Sequence, residues 1–525
     1  MRPRLAMTLL IVALAIPKAC AAEFDFFQPL MPPRPFQVMA RAGAADRAPV
    51  NTKPAIQLAI VDGFEWVAVR IARTKDGQHV LADESPLLGT AAGESALGTH
   101  TLSELQALDA GSWFAPRFAR VKWLSLAECL ELAKGKVNLL LQLVDVDPLT
   151  VAREVQSAGM ERQVLVMADR KLLDPLREIA GQRLAMAEQL SSADPRSLAG
   201  AKPAAVEIEA TLVTSDACRS FHEQGVRVIA RFSGAHDAPA WWQKAVAAGA
   251  DFLDSSKCEE IIANTVAQRF PSRTCRLACH RGASRYAPEN TIVAFAKAIA
   301  LHADFVEFDV RPSRDGVYFL LHDAKLDRTT DGRGPIRELS SEAIAKLDAG
   351  RWFGHEYATT RVPTLEEFLS WVPPGLELYF DAKDIKPEDL ARSLAEHDLT
   401  ARTVVYQSAE YLHKLAQVDS RIRGMPPARS EADIDKLLAT PPFKPYAVDS
   451  PWRALSRQYI KHCHAVGVRV FSDAPGGTTA DAMRQAIEWG LDLIQTDEPT
   501  RYWRAVELAG AATGRADGSR PSAGK

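Results

Sequence analysis

Short apolar runs alternate with helical periodicities through the C-terminal half of the chain. Phe305–Val310, Val317–Leu321, Leu376–Phe380, Thr403–Tyr406, Val468–Phe471 and Leu491–Gln495 read as buried strands. Between them, Thr291–Leu301, Glu388–Glu396 and Thr479–Trp489 carry apolar residues at helical spacing. Strands that alternate with helices predict a parallel sheet with right-handed crossovers.

The same pattern occurs twice. Pro49-Val50-Asn51-Thr52 matches Pro288-Glu289-Asn290-Thr291, and Asp76-Gly77 matches Asp315-Gly316. Asp109-Ala110-Gly111-Ser112-Trp113-Phe114 matches Asp348-Ala349-Gly350-Arg351-Trp352-Phe353, all in one register of 239 residues. Further on, Gly225-Val226-Arg227-Val228 echoes Gly467-Val468-Arg469-Val470. The chain is a tandem duplication. Each copy is close to the roughly 250 residues of a (β/α)8 barrel, so two tandem TIM-type α/β barrels are expected. The expected divisions are a first barrel over 30–268, a second over 275–508 and a disordered tail over 509–525, rich in Gly, Ala, Ser and Arg.

Composition changes this picture little. A formal net charge of -3 over 525 residues provides no basic footprint for nucleic acid. Arg2 and Arg4 precede the apolar run Leu5–Ile16, followed by small residues around Ala19-Cys20-Ala21-Ala22. That layout predicts a cleavable signal peptide over 1–22 and export to the periplasm or the exterior. Pro17 and Lys18 disfavour a lipoprotein anchor on Cys20, and no other stretch reads as a membrane span. The six remaining cysteines admit disulfides in an oxidising compartment, with Cys258 to Cys275 one candidate pairing.

In parallel barrels the reactive residues lie at the C-terminal ends of strands. Applied to the second copy, this rule collects His280-Arg281-Gly282, Glu307 and Asp309, His322-Asp323, and Asp381 with Lys383. Glu307 and Asp309 lie two apart on one strand and share a face. Three carboxylates, Glu307, Asp309 and Asp381, repel one another unless a divalent cation lies between them, and all-oxygen donors suit Ca²⁺ or Mg²⁺. Arg281 offers a planar fork for a phosphate, and Lys383 adds a point charge. His280 and His322 can exchange protons near neutral pH. Glu289 is a weaker candidate, since beside Pro288 at a helix start it can serve as a cap alone. His397 reads as solvated, His462 and His464 lie two apart on a helix and make a poor metal pair, and the repeated Trp352-Phe353 reads as packing.

These motifs resemble the glycerophosphodiester phosphodiesterase family over about Arg276 to Pro499. The resemblance rests on His280-Arg281-Gly282, Pro288-Glu289-Asn290-Thr291, Glu307-Phe308-Asp309 and His322-Asp323. It extends to Arg328-Thr329-Thr330-Asp331-Gly332-Arg333-Gly334 and Thr496-Asp497-Glu498-Pro499. It implies metal-dependent cleavage of glycerophosphodiesters to glycerol 3-phosphate and an alcohol, with the substrate's own hydroxyl attacking first. His280 and His322 would be catalytic, Arg281 and Lys383 would bind phosphate, and Glu307, Asp309 and Asp381 would bind the metal. The family usually carries Glu at the place of Asp381. Other readings are a lysophospholipase D or phospholipase C acting on lipid, and a non-catalytic binding protein.

The first copy replaces each of these positions. His280 falls on Arg41, Arg281 on Ala42, Glu307 on Ala68, Asp309 on Arg70, His322 on Asp83, Asp381 on Gln142 and Lys383 on Val144. The first barrel is therefore expected to be inactive. It would serve as a structural partner or a binding module, with Arg41 and Arg70 holding an anion or pairing with Asp83.

Overall fold

The computed structural model describes residues 34–82, 94–144, 146–179, 184–198, 200–439 and 444–512. The signal-peptide reading and Asp83 lie outside the described residues.

Two parallel eight-stranded barrels follow one another. The first runs from the strand Gln37–Arg41 to the strand Phe252–Ser255 and closes where Gln37–Arg41 pairs with both Trp66–Arg73 and Phe252–Ser255. The second runs from Arg276–Cys279 to Leu493–Thr496. It closes between Arg423–Met425 and Ala447–Asp449, where the Tyr446 amide donates to the Gly424 carbonyl at 2.9 Å and the Asp449 amide to Pro426 at 3.0 Å. Successive strand residues alternate between the barrel interior and the helical layer. Met39, Trp66, Leu140, Leu165, Ile229 and Phe252 plug the first barrel; Ala278, Phe305, Tyr379, Val404, Phe471 and Leu493 take the equivalent places in the second.

Three expectations need correction. Val317–Leu321 is not a barrel stave: Tyr318–Leu320 pairs antiparallel with Phe305–Pro312 as a hairpin at the rim. Cys258 and Cys275 do not bridge; all six described cysteines are free and buried. The Cys258 thiol instead donates to Glu259. The tail expected to be disordered from 509 is helical up to Ala512, because Pro499–Ala512 forms the closing helix of the second barrel.

That closing helix packs against its counterpart Cys258–Arg269 and holds the barrels together. Arg34 bridges Glu65 and Glu507 at 2.7 Å each, and Arg504 reaches the same two carboxylates at 2.8 and 3.1 Å. Arg47 joins Asp62, Glu259 and Glu498, while Arg501 donates to Asp62 at 3.0 Å. Every carboxylate in this network has a cation, which lets so many charges leave water together.

Candidate active site

The turn after Arg276–Cys279 is folded tightly onto the helix Ile292–Ala300. Gly282 adopts φ +76°, and a Cβ there would fall 2.8 Å from the Ala294 carbonyl carbon. Gly43 occupies the same place in the first barrel, with φ +95° and an added Cβ 2.7 Å from Ala55. Both copies keep the glycine because both keep this close approach. The turn leaves the Arg281 amide donating to Glu307 Oε2 at 2.8 Å.

The next strand, Phe305–Pro312, carries Glu307 and Asp309 inward above the Phe305 plug. Asp309 is in register with Asp381 on the neighbouring strand Glu377–Asp381. One oxygen from each of Glu307, Asp309 and Asp381 lies within 4.8 Å of the others, the one such acidic group among the described residues. Asn290 fixes Asp309 from the side, donating Nδ2 to Oδ2 at 2.9 Å and accepting the Asp309 amide at 3.2 Å. Burial and then Asp309 hold the Glu307 carboxyl well above the usual range, and burial and Asp309 also raise Asp381. Asp309 Oδ1 is buried without an aligned hydrogen-bond donor. Lys383 Nζ approaches it at 3.1 Å and contacts Asp381. Lys383 thus supplies positive charge to the carboxylates.

A divalent cation fits this donor set. Its charge would offset the burial and mutual repulsion that raise the Glu307 and Asp381 carboxyls, and it would take up the orphaned Asp309 oxygen.

Both histidines are held by a carboxylate through Nδ1. His280 meets Asp497 Oδ1 at 2.8 Å, and His322 meets Asp323 Oδ1 at 2.7 Å. In each case Nε2 is left for other chemistry. Burial opposes charge on His280, but the Asp497 hydrogen bond and Glu307 outweigh it and raise its pKa to about 9. Arg281 donates to Glu289 at 2.9 Å, with Nε 3.6 Å from Asp309 Oδ2. Glu289 does not cap the helix, whose cap is Thr291; it is bound by Arg281 and by both terminal nitrogens of Arg328. Arg328 in turn grips Asp323, whose pKa its hydrogen bonds lower. One chain of ion pairs therefore runs from Arg281 through Glu289, Arg328 and Asp323 to His322.

Sequence reasoning missed part of this mouth. Asp497, although within a noted motif, went unassigned. Asp449 and Asp473 end two further strands and point into the same acidic field. Burial and then Asp473 push Asp449 up to about 7. His397, His462 and His464 pair with Glu366, Asp435 and Asp492, none of which belongs to the site.

The first barrel's mouth is different. Arg41 donates to Asp254 and to the Phe232 carbonyl at 2.9 Å. Ala68, in the place of Glu307, joins the apolar plug. Arg41, Arg70, Gln142, Glu207 and Asp254 line a cavity of about 210 Å³.

A parallel barrel with three inward carboxylates, two carboxylate-held histidines and an arginine at its C-terminal mouth belongs to the class built for phosphoryl chemistry. The glycerophosphoryl diester phosphodiesterase family model matches residues 280–501. A glycerophosphodiester phosphodiesterase of Bacillus subtilis is 32% identical over 256 residues, covering 44% of this chain and 86% of the relative. One from Caldanaerobacter subterraneus is 28% identical over 44% of this chain and 97% of its own length. The crystal structure of a glycerophosphodiester phosphodiesterase from Agrobacterium tumefaciens is similar to 44% of the chain, at 28% identity, 99% coverage of that protein and a TM-score of 0.40. The chain belongs to the glycerophosphodiester phosphodiesterase family.

Proposed function

We propose that the second barrel hydrolyses glycerophosphodiesters to glycerol 3-phosphate and an alcohol, with one Ca²⁺ or Mg²⁺ held by Glu307, Asp309 and Asp381. The observation that carries this reading is the convergence of those three oxygens within 4.8 Å beneath Arg281. Bound there, the cation would act as a Lewis acid on the phosphoryl oxygens. Arg281 grips a non-bridging oxygen and offsets the diester charge that repels nucleophiles. Glu289 and Arg328 hold its fork in place. His322 accepts a proton from the substrate's attacking hydroxyl as its oxygen bonds to phosphorus, and His280, kept charged by Asp497, delivers one to the departing alkoxide. Water then opens the resulting cyclic phosphate to glycerol 3-phosphate with the two histidines' roles reversed. Lys383, beside Asp309 and Asp381, would add a point charge for the phosphate. The basic start and apolar run at Arg2–Ile16 support an exported enzyme. Among the described residues no helix is long and apolar enough to cross a membrane.

The test is release of glycerol 3-phosphate from glycerophosphocholine by the full chain, before and after EDTA, with Ca²⁺ or Mg²⁺ restored. Activity lost with EDTA and recovered with metal is expected; a folded protein inactive with every divalent ion tried would sink the reading.

A further inference from the structure

The catalytic mouth opens into a cleft of about 650 Å³ whose far wall comes from the other barrel. Gln57, Leu58 and Val61 on the helix Lys53–Val61 face it, with Arg117 and Phe118 from the following excursion of the first barrel. His280, Arg281 and Arg285 of the second barrel lie opposite. The seam is firmly held. Arg117 donates to the Phe353 carbonyl at 2.7 Å, and its guanidinium covers the Phe353 ring at 4.3 Å. The Trp352-Phe353 pair therefore packs as expected but also lines the cleft.

The duplication supplies an internal comparison. The equivalent cleft on the other side of the pseudo-symmetric interface, about 350 Å³, has Asp46 in the place of Arg285 and Glu356 in that of Arg117. Asp46 is paired there with Lys297 at 2.6 Å, and of the described residues lining the first barrel's mouth only Ala45 reaches that cleft. The cleft at the catalytic mouth is the cationic one. Arg285 has a half-exposed side chain and only long ion pairs, 3.7 Å to Asp497 and 4.0 Å to Glu498, which leave its hydrogen-bond donors unused. Among the described residues no carboxylate pairs with Arg117. Burial, and then the charge of Arg285, hold Arg117 below its ordinary pKa. Two guanidiniums with unused donors, in a cleft larger than a glycerol phosphate needs, form a receptor for a second anion.

We propose that the first barrel forms the outer wall of the substrate cleft, and that Arg285 with Arg117 selects diesters whose leaving alcohol carries an anionic group, such as a second phosphate. This rests on the phosphodiesterase reading above and adds the class of alcohol. Arg285 is a specificity-determining residue in it, and the first barrel becomes part of the site although it keeps no chemistry of its own.

The test uses the full chain with metal and three diesters that all release glycerol 3-phosphate: glycerophosphocholine, glycerophosphoinositol and glycerophosphoinositol 4-phosphate. The last should have the highest kcat/KM, by roughly tenfold over its unphosphorylated parent. Arg285→Ala should erase that advantage through KM, leaving the two inositol diesters with equal kcat/KM. Val61→Asp, a change on an exposed first-barrel position, should do likewise and shift preference toward the choline diester. Equal kcat/KM for the two inositol diesters, or a preference untouched by both variants, would overturn the proposal while leaving the phosphodiesterase reading intact. Failure to hydrolyse any of the three would remove that reading, and the proposal with it.

Discussion

The second strand of each barrel shows what separates the two halves. Trp66-Val67-Ala68-Val69-Arg70 and Phe305-Val306-Glu307-Phe308-Asp309 have the same length, register and outward apolar face. They differ at the inward positions above the plug. In the first barrel Ala68 extends the apolar interior, and Arg70 lies in register with Gln142. In the second, two carboxylates occupy those levels and face Asp381. A barrel core tolerates either choice because the plug beneath is apolar in both. Fold and chemistry are thus carried by different residues on one strand, and a copy can lose the second without losing the first.

The largest effect that would break this comparison is on turnover. His280→Ala should lower kcat by roughly 10²–10⁴-fold, whereas Arg41→Ala in the equivalent place should leave it within about twofold, both by glycerol 3-phosphate release. A comparable loss from the Arg41 variant would place chemistry in the first barrel.

Stability should respond to the seam between the halves. Glu65→Ala leaves Arg34 and Arg504 buried with one carboxylate fewer, and should cost about 3–5 kcal/mol in chemical denaturation. A loss below about 1 kcal/mol, the range of an exposed pair, would mean that water reaches the network.

The smallest expected effect is on the pH dependence of metal affinity. Burial and mutual repulsion raise the Glu307 and Asp381 carboxyls, so in the metal-free protein a proton competes with the cation. Affinity should therefore rise with pH, by up to about tenfold per unit for each proton displaced, and calorimetry in buffers of different ionisation heat should detect that proton. An affinity flat from pH 5 to 8 would show the site already ionised.

Much of this was legible in the sequence because the duplication printed it twice. One register of 239 residues aligned the first half of each copy, and the strand-end rule placed His280, Glu307, Asp309 and Asp381 at one mouth. The failures have physical causes. Val317–Leu321 is as apolar as a stave, but its edge position follows from a hairpin that no periodicity reports. Arg423–Met425 and Ala447–Asp449 are three-residue strands, too short to show alternation, so Asp449 was missed. Asp473 extends a strand that was found, and a longer reading of Val468–Phe471 would have caught it. Asp497 is a partner rather than an actor: its role appears only when its 2.8 Å bond to His280 closes the barrel's first and last strands. The cleft between barrels was invisible, because no sequence pattern shows that the helix Lys53–Val61 of one copy faces the mouth of the other.

Among the described residues, only the second of the two homologous barrels brings together three carboxylates, Glu307, Asp309 and Asp381, that could hold a cation. Calorimetric titration of the metal-free full chain with Ca²⁺, and with Mg²⁺ in a parallel run, tests that capacity most directly. The account predicts one ion per chain, lost in Asp309→Asn and retained in Arg70→Ala. Two ions per chain, or binding that survives Asp309→Asn, would contradict it.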